Sequence, residues 1–367
     1  MANQNTEFQN EVATSCTQQT ELSNALIQAM QRGDAQGVKA AFAKGVDPNG
    51  TDKSGLSVLS WAALLGKSGC VKQLLDAGAD VNATDQEDWS SLMFAADNGH
   101  VECVKRLLAG GAAVEKTDLD GETSLMRAAR HGHAECVQVL LAAGANLHAV
   151  NVEGRSSLQY AVERGHVKCA KLLLAAGADP NSVLQLVIEN GHNGILQLLL
   201  AHGADPNKGC ATANRVIPVK LLLEAGADAE AWLAEAAVAN RKLAVKNLLR
   251  HGADASKALS AVAKRNSLFG AQFLLKQGAD PNAGLAAAAA GGHSRIMELL
   301  LQHGADPNTG MAAAAAFGNI YNMRLLLWRG ADPTPGIRVA AAAGHTHLVK
   351  LLQEGAKQYA AQEKVAG

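Results

Sequence analysis

A chain of 367 residues in which only 4% of side chains are aromatic has to build its interior from Ala, Leu and Val. It is longer than one ordinary globular core, and a formal charge of -1 gives no reason to expect nucleic acid as a ligand. The charge is unevenly spread: residues 1–204 carry 15 basic and 22 acidic side chains, residues 205–367 carry 18 and 12, so the first half favours a basic partner surface and the second an acidic one.

In chain order, residues 1–22 read as a polar flexible tail rich in Gln, Asn and Thr, without the basic-then-apolar pattern of a secretory signal. No apolar run reaches the ~18–20 residues of a membrane span, so none is expected. Periodicity begins at residue 23. An "AG" or "HG" followed by "AD" recurs with glycines at Gly45, Gly78, Gly111, Gly144 and Gly177, 33 residues apart. The spacing then contracts: Gly203, Gly226, Gly252, Gly278, Gly304, Gly330 and Gly355 follow at 23 to 26 residues. Each unit reads as two short helices, as in "SSLMFAADNGH" followed by "VECVKRLLAGG", where Val101, Val104, Leu107 and Leu108 share one helical face. The glycine after the second helix suits a left-handed C-terminal cap, and Asp-Pro-Asn, as at Asp280–Asn282, stops the helix.

The units resemble ankyrin repeats, whose signature T-P-L-H-x-A is kept in part as Ser57-Val58-Leu59-Ser60-Trp61-Ala62, Ser90-Ser91-Leu92-Met93-Phe94-Ala95, Thr123-Ser124-Leu125-Met126-Arg127-Ala128 and Ser156-Ser157-Leu158-Gln159-Tyr160-Ala161. The resemblance implies an all-α solenoid of about 12 helix pairs. Ten residues separate Asn82 from Leu92, but only three separate Asn282 from Leu285. In ankyrin proteins the lost segment is a β-hairpin finger. Hairpins are therefore expected in about the first five units (23–180), short hairpin-less repeats over 181–356, and a C-terminal cap over 357–367. The stretch "CATANRVIPV" (Cys210–Val219) is shorter still and carries Pro218, so a stunted first helix and a bend are expected there.

Chemistry-bearing motifs are absent. There is no phosphate loop, no HExxH and no nucleophile elbow. Cys70, Cys103, Cys136 and Cys169 are 33 residues apart on successive second helices. Packed helices lie about 8–10 Å apart, too far for a disulfide between equivalent positions, so the four read as small buried packing residues in a reducing compartment. "HGH" (His131–His133) and "HTH" (His345–His347) read as helix-end histidines, not metal ligands. No cofactor or metal is expected, and the chain is expected to be cytoplasmic and monomeric.

By the resemblance, the fingers and first helices line the face on which ankyrin proteins bind partners. On this chain that implies Leu56, Leu64, Trp89, Asp97, Glu122, Arg130, His131, Arg155, Glu163 and Arg164 in the long repeats. In the short ones it implies Lys264, Arg265 and Phe317, at the border of an Ala-rich floor. Trp61, Phe94 and Tyr160, one register position on, are expected between inner helices. The stretch "GLAAAAAGGH" (Gly284–His293) and its counterparts form either that floor or a tight stacking seam. The function so implied is a non-catalytic protein–protein interaction scaffold. The Ala-rich, hairpin-poor style resembles bacterial ankyrin proteins, including host-directed effectors. That would make the partner a eukaryotic host protein and the location a host cell after translocation. The alternatives are an inhibitor or immunity protein, an enzyme with an unorthodox site around His131, Glu163 and Arg164, or a self-assembling structural protein.

Overall fold

A computed structural model describes the backbone of residues 18–52, 54–209 and 216–366, and the side chains of the same residues except 216 and 358–366. The chain divides into two compact units, Met1–Ala204 and Asp205–Gly367.

In the first unit, helix α1 (residues 18–32) pairs with α2 (Ala35–Ala43). Four further pairs follow: α3 (Val58–Leu64) with α4 (Ser68–Asp76), α5 (Ser91–Asp97) with α6 (Val101–Ala109), α7 (Ser124–His131) with α8 (Ala134–Ala142), and α9 (Ser157–Glu163) with α10 (Val167–Ala175). A 3-10 turn, Pro180–Val183, leads into α11 (Leu184–Asn190) and α12 (Asn193–Ala201). Part of the tail expected over residues 1–22 falls on described residues, and the rest lies outside them. Residues 18–22 are helical, and the Gln19 side chain ties α1 down by accepting from the Asp47 N–H at 3.0 Å and donating to the Gly45 carbonyl at 3.4 Å.

The repeated Ser or Thr starts each inner helix. Ser57, Ser90, Thr123 and Ser156 are extended, and their hydroxyls accept from the N–H three residues on, at 3.0 to 3.3 Å. This satisfies one of the orphan donors of the first turn. The fingers are single antiparallel bridges: Thr51 with Ser57, Thr84 with Ser90, Thr117 with Thr123 and Val150 with Ser156. Among the described residues no bridge follows Ser156. Four fingers thus join five helix pairs.

The second unit begins with a 3-10 turn, Pro206–Gly209, and α13 (Val216–Glu224). The expected stunted helix and bend fall largely on residues 210–215, outside the described residues. Pro218 lies in the first turn of α13, where its missing N–H disrupts no intrahelical bond. Then come α14 (Ala229–Val238) and α15 (Lys242–Arg250), α16 (Ala255–Lys264) and α17 (Leu268–Lys276), and α18 (Asn282–Ala290) with α19 (Ser294–Gln302). The last pairs are α20 (Asn308–Phe317) with α21 (Ile320–Trp328), and α22 (Thr334–Ala342) with α23 (Thr346–Ala366). Without a finger, the chain enters the next inner helix at once. Pro281, Pro307 and Pro333 stand at the N-caps of α18, α20 and α22, so the Asp-Pro step here starts a helix as well as ending one. Gly355 is an exception to the glycine series. It has no positive φ and lies inside α23, which continues through an Ala-, Lys- and Gln-rich tail of high helix propensity.

Three devices hold neighbouring units together. Gly78, Gly111, Gly144 and their later counterparts are left-handed, with φ between 76° and 101° from Gly45 to Gly330. Where the turn between the two helices lacks its glycine, Asn240 and Asn266 take the left-handed conformation at φ 57°. Asn side chains staple one repeat to the next: Asn49 accepts from the Asp80 N–H at 2.8 Å, Asn282 from Asp306 at 2.7 Å and Asn308 from Asp332 at 2.7 Å. The helix-end histidines do the same on the other side. His100 Nε2 meets the Leu64 carbonyl at 3.0 Å, His133 that of Asp97 at 2.9 Å, His166 that of Arg130 at 3.1 Å and His293 that of Lys264 at 3.1 Å. Behind them Cys103, Cys136 and Cys169 are buried, and desolvation pushes their thiols up to about 11, 12 and 11.

Candidate functional site

In the first unit the fingers are built on one carboxylate or amide each, at Asp52, Asp85, Asp118 and Asn151. One oxygen closes the finger. Asp85 Oδ1 accepts from the Glu87 and Trp89 N–H groups at 3.0 and 2.8 Å, and Asp118 Oδ1 from Asp120 and Glu122 at 3.0 and 2.8 Å. The other polar atom reaches the inner helix nine residues on. Asp52 Oδ2 accepts from Trp61 Nε1 at 2.9 Å, Asp118 Oδ2 from Arg127 at 2.5 Å, and Asn151 Nδ2 donates to Tyr160 Oη at 3.0 Å. Trp61 and Tyr160 are thus tied to fingers as well as packed at the inner helices, and Tyr160 is 4% exposed. Burial works to raise the Asp52 carboxyl, but the hydrogen bonds from Ser54, Trp61 and Leu56 outweigh it and leave its pKa below the usual value.

The centre of this face is a buried charged cluster. Glu122 was expected to point at a partner. It is instead 3% exposed, because Arg127, Arg130 and Tyr160 close over it. Its carboxylate takes Arg127 Nε at 2.8 Å, Arg130 at 3.3 Å and a short hydrogen bond from Tyr160 Oη. Burial, and then the hydrogen bond to Glu122, push the Tyr160 phenol up to about 12. Arg127, absent from the sequence-based set, is the hinge of the cluster: its guanidinium also lies 4.0 Å over the Trp89 ring, which in turn packs against Phe94 at 5.0 Å.

Around this cluster the surface opens. Trp89 is half-buried and borders a cavity of about 280 Å3 with Glu87, Asp118, Leu119 and Asp120. Arg130 and Arg155 both lie over the Tyr160 ring, at 5.4 and 5.9 Å from its centre. His131 is exposed and pairs with Asp97 at 3.1 Å, while Glu163 pairs with Arg155 at 3.5 Å. Arg164 is exposed; Leu56 and Leu64 are half-buried, and the Leu64 carbonyl is taken by His100. Successive finger tips are laced by backbone bonds, Leu119 N–H to the Glu87 carbonyl at 3.3 Å and Val152 N–H to that of Asp120 at 3.0 Å. Leu119 and Val152 are 65% and 73% exposed.

In the second unit the alanine helices divide their residues between two roles. Gly284, Gly310 and Gly336 are buried where adjacent inner helices approach. A methyl group at Gly310 would lie 3.1 Å from Leu285, and one at Gly336 3.1 Å from Met311. Ala288, Ala289, Ala314, Ala315 and Ala340 are fully buried in the same seam. Ala286, Ala290, Ala312, Ala316 and Ala342 are exposed and make the smooth floor. Lys264 is exposed beside it, and Arg265 pairs with Glu235 at 3.4 Å. Phe317 is half-exposed, and its ring covers Gly292, where the absence of a side chain makes room. Among the described residues no three His, Cys, Asp or Glu side chains are placed to hold a metal ion, and no helix is long and apolar enough to cross a membrane.

Comparison with known proteins agrees with this geometry. A family model for ankyrin repeats (3 copies) matches residues 8–85, 92–183 and 144–210, and a single ankyrin repeat model matches 285–310. The solved structure of the human ASB11 ankyrin repeat domain is 31% identical over 46% of this chain and 84% of its own, with a TM-score of 0.43. No curated protein sequence matches. The repeats, their caps and the matched family models, which together span more than half of the chain, show that it belongs to the ankyrin repeat family.

Proposed function

We propose that the chain is a non-catalytic scaffold that binds a protein partner on the finger and inner-helix face of its first unit. The observation that carries this reading is the graded construction of that face. A buried cluster (Asp118, Glu122, Arg127) fixes Trp89, Arg130 and Tyr160, and around them Asp97, His131, Arg155, Glu163 and Arg164 stay within reach of solvent. Rigidly held Trp, Tyr and Arg side chains with a polar surround are what protein interfaces use as anchors. Ankyrin repeats are a family of interaction modules and typically not catalysts.

The finer reading, a bacterial chain that acts on a eukaryotic host protein after translocation, rests on the Ala-rich, finger-poor style of the second unit. The buried thiols suit a reducing compartment in either cell. A translocation reporter fused to the chain tests it, and a silent reporter removes it. For the scaffold itself, the test is partner capture with surface variants that leave the buried cluster alone. Arg155→Ala with Arg164→Ala is expected to lower capture at least about tenfold. Unchanged capture by a folded variant would rule this face out.

A further inference from the structure

The outer helices of the second unit differ from those of the first at one register position. The second residue of each outer helix in the first unit is small, polar or charged: Gln36, Gly69, Glu102, Glu135, Lys168 and Gly194. In the second unit it is Ile217, Leu243, Phe269, Arg295, Tyr321 and His347. The apolar members are not buried by their helices, which turn the following residues (Ala244 and Val245, Gly270 and Ala271) inward. Ile217 is 55% exposed, Leu243 57%, Phe269 43% and Tyr321 55%. Trp328, two turns further along α21, is 77% exposed.

The same crests are basic. Three or seven residues on from the apolar position, hence on the same face of each helix, stand Lys220, Lys246, Arg250, Lys276 and Arg324, all exposed. Lys246, Arg250, Lys276 and Arg324 have no carboxylate within salt-bridge reach among the described residues. Lys220 is shared with Glu224 at 3.6 Å. The first unit contrasts here too: Lys72 pairs with Asp76 at 3.2 Å and Lys105 with Glu102 at 2.7 Å. The excess of positive charge in residues 205–367 is thus partly gathered on one face, next to exposed large apolar side chains.

We infer that this outer face of the second unit is a docking surface for an anionic lipid bilayer. Charge complementarity selects an anionic occupant. The placement of the apolar groups selects a soft one. They stand on the crests of separate helices, Phe269 stacked on Phe273 at 6.4 Å and Tyr321 donating its hydroxyl to Glu298, so that each helix presents its own group to the headgroup boundary, and Trp and Tyr are the side chains that favour that boundary. Unpaired Lys and Arg add attraction to anionic headgroups. The inference does not depend on the partner face of the first unit, which lies on other helices.

The test is co-sedimentation of the full chain with vesicles of phosphatidylcholine containing about 30 mol% phosphatidylserine, against pure phosphatidylcholine. Binding to the anionic vesicles alone is expected, with loss at high salt. Lys246→Glu with Arg250→Glu should weaken it at least about tenfold. Leu243→Ser with Phe269→Ser should weaken it at least about fivefold. Both pairs are exposed, so the circular dichroism melt should stay at the wild-type temperature. Lys72→Glu with Lys105→Glu, on the first unit, should have no effect. Absence of binding, or binding indifferent to Leu243 and Phe269, overturns the inference. So does tight binding of an acidic amphipathic peptide in fluorescence polarisation by a chain that ignores the vesicles, which would assign the face to a protein.

Discussion

Glu122 offers the sharpest perturbation of the first unit. Replacing it by Ala removes the carboxylate that faces Arg127 Nε at 2.8 Å, Arg130 at 3.3 Å and the Tyr160 hydroxyl. Arg127 is 8% exposed and cannot recover by turning to water. Breaking a buried pair from one side costs about 3–5 kcal/mol. Arg127 keeps Asp118 at 2.5 Å, so the lower end, about 3 kcal/mol, applies here. For a unit of this size that is a fall in melting temperature of roughly 6–12 °C. Glu122→Gln keeps the volume and an acceptor for Tyr160, and should cost about 1–2 kcal/mol. Urea and thermal unfolding followed by circular dichroism measure both. A loss below about 1 kcal/mol for Glu122→Ala would refute the buried cluster and return Glu122 to the open surface.

Three further outcomes follow from the packing. Gly310→Val should cost about 1–3 kcal/mol because Leu285 already lies at methyl contact distance, while Ala316→Ser, on the exposed floor, should stay within about 0.5 kcal/mol; thermal melts of the two variants compare seam with floor. Cys103, Cys136 and Cys169 should resist iodoacetamide at pH 8 until the chain unfolds, as read by peptide mass spectrometry. Their folded pKa values of about 11 to 12 lie above the ordinary 9.0, so they leave stability intact below about pH 9 and erode it as pH rises through 11 to 12. Asn308→Ala removes the 2.7 Å staple to the Asp332 N–H and should cost about 1 kcal/mol in the second unit, measured by urea titration.

Much of the fold was legible because repetition turns weak signals into a register. The glycines at 33 and then 26 residues marked helix ends, and the seven-residue loss before Leu285 marked the missing finger. What stayed hidden was of two kinds. Boundaries depended on propensity beyond the repeat: Gly355 looked like the caps before it, yet a helix-favouring tail carries α23 past it, and a tail that read as polar is helical by residue 18. Contacts depended on neighbours in the next repeat. Glu122 sits at a surface register, and it is closed over by Arg127 and Arg130 of its own repeat together with Tyr160, 38 residues on. The nine-residue ties from Asp52, Asp118 and Asn151 to Trp61, Arg127 and Tyr160 were readable in principle, as one polar position that recurs every 33 residues ahead of each inner helix. The alanine stretches answered both ways, with Gly284, Ala288 and Ala289 in a seam and Ala286 and Ala290 on a floor.

If the inner face of the first unit holds a protein, photocrosslinking in a native lysate from a residue analogue placed at His131, compared with one at Lys105 on the outer face, reports it. One discrete product is expected from position 131, abolished by Arg155→Ala with Arg164→Ala, and none from position 105. Equal products from both positions, or a product from position 105 alone, would contradict it.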